Sequence, residues 1–214
     1  PDIILSIGWS QILSYQILSI PKLGTVGYHP SMLPKNRGKH PIIWSLALGL
    51  NETGSTIFLM DKKIDNGRII SQEKIKIRQS DTATSLYLKL ANCAKKQIIN
   101  FVKHINKKNK FTFIKSKNYK INYWRSRNFK DGEINWSSNA IIINNLVRAL
   151  SYPYPNAHFY YKGKMKRLQN QAFSSASFPH KIHFSKGSCG DAWSRNFSTS
   201  NAHTRDGWKV QRVR

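Results

Sequence analysis

Cysteine is almost missing from this chain: Cys93 and Cys189, far apart and in unlike surroundings, are the two in 214 residues. That excludes a disulfide framework and makes a reducing, cytoplasmic compartment the expectation. No run approaches the roughly 18 apolar residues that a membrane span needs, so no membrane partner is expected. The start carries neither a signal-peptide pattern nor a methionine, and Pro1 in first place leads us to expect a fragment lacking earlier sheet strands. A glycine-rich phosphate loop is absent, since Gly24 and Gly27 do not match one. His180, His183, Cys189 and His203 fit no zinc-ligand spacing, so no metal is expected.

Acidic side chains are scarce too. Ten Asp and Glu face thirty-five Lys and Arg, for a net charge of +25. The imbalance is uneven: residues 1 to 60 hold four basic and two acidic side chains, whereas residues 61 to 130 hold nineteen and four. From Lys95 to Lys130 the basic residues alternate with Phe and Asn. Two readings stand: a face that attracts a polyanion such as RNA, or a solvated surface in a chain rich in Lys throughout.

What is present has an α/β rhythm. PDIILSIG is a short apolar run suited to a buried strand, and SQILSYQILSIPKLG suggests a short amphipathic helix ended near Pro21 and Gly24. TVGYH returns to extended chain. Pro41 opens an expected helix, STIFLMD and RIISQEKIKI read as strands, and helical spacing runs from Asp81, as N-cap, to about residue 105. Alternation of this kind implies an α/β domain with a mainly parallel, Rossmann-like sheet, here partial. Later, NNLVRALSYPYPNAHFYYKGKMKRL reads as a helix stopped before Pro153 and a strand hairpin turning at Lys162 and Gly163. The expected division is a catalytic domain over 1–106, a basic linker over 107–133, the start of a small β-rich, OB-like domain over 134–173, and an irregular or disordered tail over 174–214. Tyr123, Trp124 and Arg125 fit an aromatic anchor for the linker.

The stretch VGYHPSMLPKNRG draws attention. Pro30 and Pro34 exclude helix interior and central strand, so His29 sits on a shaped loop. Open α/β sheets keep their sites in loops at the carboxyl ends of strands. GWSQIL, HPSMLPKNRG and KKIDNG are three such loops in the coarse reading, which lets His29 and Asp65 converge. An imidazole oriented by a carboxylate can move protons or stabilise an oxyanion. The plainer alternative is that both residues only shape turns.

Together HPSMLPKNRG, TGSTIFLMD and IDNG resemble the signature of the folate-dependent formyltransferase family, in its methionyl-tRNA formyltransferase-like form. The likeness runs over 1 to about 105 and again over 121 to 168. It implies formyl transfer from 10-formyltetrahydrofolate to a primary amine, most simply that of methionyl-tRNA. A nucleotide-linked amino sugar is the alternative acceptor, and a noncatalytic RNA-binding remnant is the alternative to catalysis. His29 then matches the catalytic histidine and Asp65 the catalytic aspartate. Trp9, Gln11 and Leu13 fall on one expected wall of the pterin pocket, with Asp61, Lys62 and Ile64 on the other. One departure stands out: the family usually carries asparagine two positions before its histidine, and here that residue is Gly27. Lys62, Lys63 and Arg68 also add positive charge around Asp65.

Overall fold

The sheet that carries the site is covered on both faces at its centre, where residues 53–58 are buried at every position. In the computed structural model the described residues are 1–9, 11–108, 110–115 and 120–169, so the expected tail, with its histidines and Cys189, lies outside them. The chain divides into two units. Pro1–Ile42, Asn51–Ile77 and Leu86–Arg127 make the first; Ile43–Leu50, Arg78–Ser85 and the residues from Asn128 on make the second.

In chain order the first elements are β1 (Ile4–Ser6), α1 (Tyr15–Leu18), β2 (Thr25–His29), β3 (Arg37–Gly38), α2 (Pro41–Ala47), β4 (Glu52–Met60), β5 (Gly67–Lys76) and α3 (Ala83–Lys108). Four of the strands form one sheet in the order β1-β2-β4-β5. The α/β class expected from the sequence holds. Its parallel pairing is β1 with β2, Leu5 opposite Val26, while β4 is antiparallel to β2 and β5 antiparallel to β4. The reason is connection length: the six residues between β4 and β5 allow a hairpin, whereas a parallel return needs a crossover of about a dozen or more. Val26, Ile57, Phe101 and Ile105 form one buried cluster of this unit and Leu33, Phe58 and Ile69 another, and Phe111 stacks on Phe101 with ring centroids 5.9 Å apart.

Helix α3 starts one residue later than its sequence suggests. Thr82 and Ser85 exchange bonds, the Ser85 amide to the Thr82 hydroxyl at 3.3 Å and the Thr82 amide to the Ser85 hydroxyl at 3.0 Å. That reciprocal pair works as a capping box built with serine. Asp81 instead accepts from the Arg78 amide at 2.7 Å and the Ser85 hydroxyl at 2.8 Å. Further along, Gln97 occupies a core position of the helical stripe and is buried. Its amide is fully used: Oε1 accepts from the Ser55 hydroxyl at 2.6 Å, and Nε2 donates to the Ser55 carbonyl at 3.1 Å and the Ser71 hydroxyl at 2.9 Å.

The stretch expected as a linker is partly ordered. Strand β6 (Tyr123–Trp124) pairs in parallel with β3, Arg37 opposite Tyr123 and Gly38 opposite Trp124. Helix α4 (Ala140–Ala149) and the hairpin β7 (Ala157–Tyr161) and β8 (Lys164–Leu168) follow in the second unit. The hairpin turns where it was expected, with Lys162 at φ 47° and Gly163 at φ 72°, the left-handed pair that a two-residue turn requires. Arg148 on α4 is buried, and its Nη1 donates to the carbonyls of Arg78 at 3.0 Å and Asp81 at 3.2 Å.

The Gln97 arrangement yields a prediction. Gln97→Leu keeps the volume but removes the amide partner of the buried Ser55 hydroxyl and carbonyl and of the half-buried Ser71 hydroxyl, which should destabilise the protein by about 1–3 kcal/mol. A urea titration beside the wild type measures it, and an unchanged midpoint would refute the role assigned to this amide.

Candidate active site

The proline loop is shaped from outside by β4 and β5. The Thr56 hydroxyl donates to the Ser31 carbonyl at 2.6 Å, the Thr53 hydroxyl to the Pro30 carbonyl at 3.3 Å, and Gln72 Nε2 to the Leu33 carbonyl at 2.8 Å. Inside the loop the Ser31 hydroxyl donates to the Lys35 carbonyl at 2.9 Å. Prolines cannot donate such bonds, so the neighbouring polar side chains take on the task. His29, last residue of β2, is thereby fixed at the loop's root.

His29 and Asp65 meet. Their Nδ1 and Oδ1 atoms are 3.5 Å apart, with the side chains 7% and 19% exposed. The route differs from the expected one. Because β4 runs antiparallel to β2, its end at Met60 lies level with the start of β2, where Leu59 faces Val26. Asp65 reaches the histidine because the β4–β5 connection turns back along the sheet. Asp65 itself adopts φ 47°, and its Oδ2 accepts from the Gly38 amide at 2.7 Å. On the other side of the ring, Nε2 is 2.9 Å from the Asn36 carbonyl.

Both ring nitrogens therefore face oxygen. A carbonyl can only accept, so the short contact assigns the ring proton to Nε2 and leaves the Nδ1 lone pair towards the carboxylate. Burial pushes the His29 pKa below its ordinary value, Asp65 and the Asn36 carbonyl oppose that shift, and the nearby Arg37 guanidinium reinforces it. The resting ring is neutral, with one open proton site between Nδ1 and Asp65. Such a pair can take a proton from a reacting amine. Tyr28, the preceding residue, has its phenol pushed up to about 12 by burial and stays protonated.

The flanking residues are placed as follows. Trp9 is 59% exposed and Ile64 50% exposed; Gln11, Asp61 and Lys62 are exposed and Leu13 is half-buried. The Lys62 ammonium sits 4.1 Å from the ring centroid of Tyr15, the first residue of α1 and not one of the expected wall residues. Asp61 folds its own loop, accepting from the Lys63 amide at 2.8 Å and from Asn66 Nδ2. Arg68 does not join the carboxylate either, for its guanidinium lies 3.8 Å from the Phe113 centroid.

Gly27 is closed to a side chain. A Cβ there would lie 2.8 Å from Met60 Cγ, 3.0 Å from its Sδ and 3.1 Å from Phe58 Cζ. The volume that an asparagine would use is filled with apolar atoms. Sequence reading missed Asn36 and Gly38, which hold the pair through main-chain atoms and so leave no side-chain signature. It also missed Arg37, which is 6% exposed and whose Nε has no hydrogen-bond partner among the described residues.

Comparison with known proteins places this geometry in context. The family model described as "Formyl transferase" matches residues 1–102, and "Formyl transferase, C-terminal domain" matches 128–207. The bifunctional polymyxin resistance protein ArnA of Wigglesworthia glossinidia brevipalpis is 46% identical over 160 residues. That is 75% of this chain but 24% of the relative, so the chain spans about a quarter of that protein's length. WlaRD, a sugar 3N-formyltransferase solved in the presence of dTDP and 5-N-formyl-THF, superimposes with a TM-score of 0.57 at 28% identity, over 69% of this chain and 53% of that one. Methionyl-tRNA formyltransferase from Clostridium thermocellum shares the fold, with a TM-score of 0.67 at 20% identity over 83% and 74% of the two chains.

Two predictions follow from the site. Since His29 has a lowered pKa in the folded chain, it is neutral in both states above pH about 6.5 and contributes no slope there. As pH falls through that value the unfolded chain takes up a proton that the folded chain refuses, so stability declines until the folded pKa is passed. His29→Gln should remove this part of the slope in urea titrations run across the range; an identical slope would sink the neutral assignment. Separately, Gly27→Asn should cost about 1–3 kcal/mol by overpacking against Met60. Met60→Ala in the same chain should recover part of that loss.

Proposed function

The chain belongs to the folate-dependent formyltransferase family, and from that premise we propose that its His29–Asp65 pair serves formyl transfer from 10-formyltetrahydrofolate to a primary amine on a nucleotide-linked amino sugar. The observation that carries the chemistry is the approach of His29 Nδ1 to Asp65 Oδ1, 3.5 Å apart with both side chains largely buried. The acceptor amine attacks the formyl carbon, forming the new C–N bond and a tetrahedral oxyanion. The amine's proton passes to His29, with the imidazolium held by Asp65. Collapse of the intermediate breaks the bond to N10 of the folate, and the proton leaves with that nitrogen, giving a formamide and tetrahydrofolate.

Trp9, Gln11 and Leu13 on one side, and Asp61, Lys62 and Ile64 on the other, are the residues assigned to the pterin. Their exposure leaves these side chains accessible to a ligand. With Gly27 in place no side-chain amide is available there for the oxyanion, so the ring proton of His29 takes a larger share of that task.

For the acceptor, the amino sugar is favoured over methionyl-tRNA. The 46% identity to ArnA, a bifunctional polymyxin resistance protein, and the 28% identity to a sugar 3N-formyltransferase outweigh a 20% likeness to a methionyl-tRNA enzyme. The basic run from Lys95 to Lys130 is what speaks for tRNA. In this reading residues 1–106 carry the catalytic half, 107–133 connect it, and 134–173 open the carboxyl-terminal domain. Scarce cysteine fits work in the cytoplasm, and among the described residues no helix is long and apolar enough to cross a membrane.

The test supplies 10-formyltetrahydrofolate with nucleotide-linked amino sugars and with methionyl-tRNA to the longest natural form of the protein. Transfer to a sugar is expected, with His29→Ala and Asp65→Asn each lowering kcat on the order of 100- to 10,000-fold. Undiminished transfer in His29→Ala would remove the catalytic assignment. Preferential transfer to the tRNA would overturn the choice of acceptor.

A further inference from the structure

One short piece of backbone holds both members of the pair. Asn36 offers its carbonyl to His29 Nε2 at 2.9 Å, and Gly38 donates its amide to Asp65 Oδ2 at 2.7 Å. That piece is itself clamped by residues from the far end of the presumed connector, eighty-six positions away. Asn36 and Asn122 exchange two bonds: the Asn36 amide donates to Asn122 Oδ1 at 3.0 Å, and Asn122 Nδ2 donates to Asn36 Oδ1 at 3.0 Å. Next to them the Arg37 amide donates to the Asn122 carbonyl at 3.1 Å, Arg37 Nη1 to the Tyr123 hydroxyl at 3.0 Å, and the Lys39 amide to the Trp124 carbonyl at 3.0 Å. Gly38, at φ 98°, is the residue that lets the Trp124 carbonyl approach, since a Cβ would collide with it.

Asn36 needs the clamp. It sits at φ 59°, in the left-handed region, where asparagine is tolerated but not at rest without support. Its carbonyl points at the imidazole as long as the peptide keeps that conformation, and the Asn122 side chain bonds it at both its amide and its side-chain oxygen. Release of those bonds frees the peptide to turn, and His29 Nε2 then loses the acceptor that fixes its tautomer. The charged groups around the ring are Asp65, from the β4–β5 connection, and Arg37, from β3.

We propose that Asn122 is a positioning residue for the His29–Asp65 pair, acting through Asn36 on the imidazole and through the β3–β6 pairing on the carboxylate. The catalytic consequence rests on the formyltransferase reading; the positional one does not.

The experiment has two readouts on the full chain. Nitrogen-15 spectra of the His29 ring across pH report its tautomer and titration midpoint, while steady-state formyl transfer reports kcat and KM. Asn122→Ala is expected to reduce the Nε2–H tautomer, move the His29 midpoint, and lower kcat on the order of 10- to 100-fold with KM for the folate changed far less. Asn36→Gly tolerates the left-handed backbone but loses the side-chain bond from Asn122, so it should act in the same direction and serves if Asn122→Ala does not fold. The double variant should lose no more than the larger single loss. A folded Asn122→Ala protein whose His29 tautomer and midpoint match the wild type overturns the proposal. Should the ring signals move while no form of the protein transfers a formyl group, the positioning role stands and the formyltransferase reading falls.

Discussion

A neutral imidazole has one proton to give and two nitrogens to satisfy, and at His29 both nitrogens meet oxygen. Much of the first unit is arranged around that mismatch. The carbonyl of Asn36 claims the proton at the short contact, so the other nitrogen is left facing a carboxylate with nothing between them. Burial keeps the ring from relieving the situation by taking a second proton. The result is room for one proton between a buried ring and a partly buried carboxylate. A surface histidine beside an aspartate would simply ionise.

Holding such an arrangement takes more structure than two residues suggest. The loop after β2 is pinned by hydroxyls and an amide from β4 and β5, and the loop between those strands turns back to deliver Asp65. Each restraint is a main-chain group satisfied by a neighbour, which removes freedom without adding charge. Two of the nearby cations, Lys62 and Arg68, lie over the aromatic rings of Tyr15 and Phe113, which leaves Arg37 as the positive charge acting on the imidazole.

The strands, the long helix and the late hairpin were legible because side-chain periodicity and turn chemistry are local. Pro41 at the first turn of α2, and Lys162 and Gly163 at the hairpin, stand where residue type alone puts them. His29 and Asp65 were legible as candidates because proline and glycine flank them in loops, although the strand direction behind that inference was partly wrong: β4 runs against β2. Asn36, Gly38 and Asn122 were not legible. Two of them act through peptide groups that every residue possesses, and the third gains its meaning from a partner eighty-six positions distant. Gln97 looked like one more apolar position of a helical stripe, for periodicity records which face is buried and not what is bonded there.

Gly27 is bare because Met60 and Phe58 lean into its place. A larger side chain at position 27 has to displace the flexible Met60 arm, so what one position tolerates is set by the size of the other. A smaller residue at position 60 would open room for an amide at position 27 and, beside glycine, would leave a hole. The two positions share one volume, and space constrains them before any question of chemistry arises.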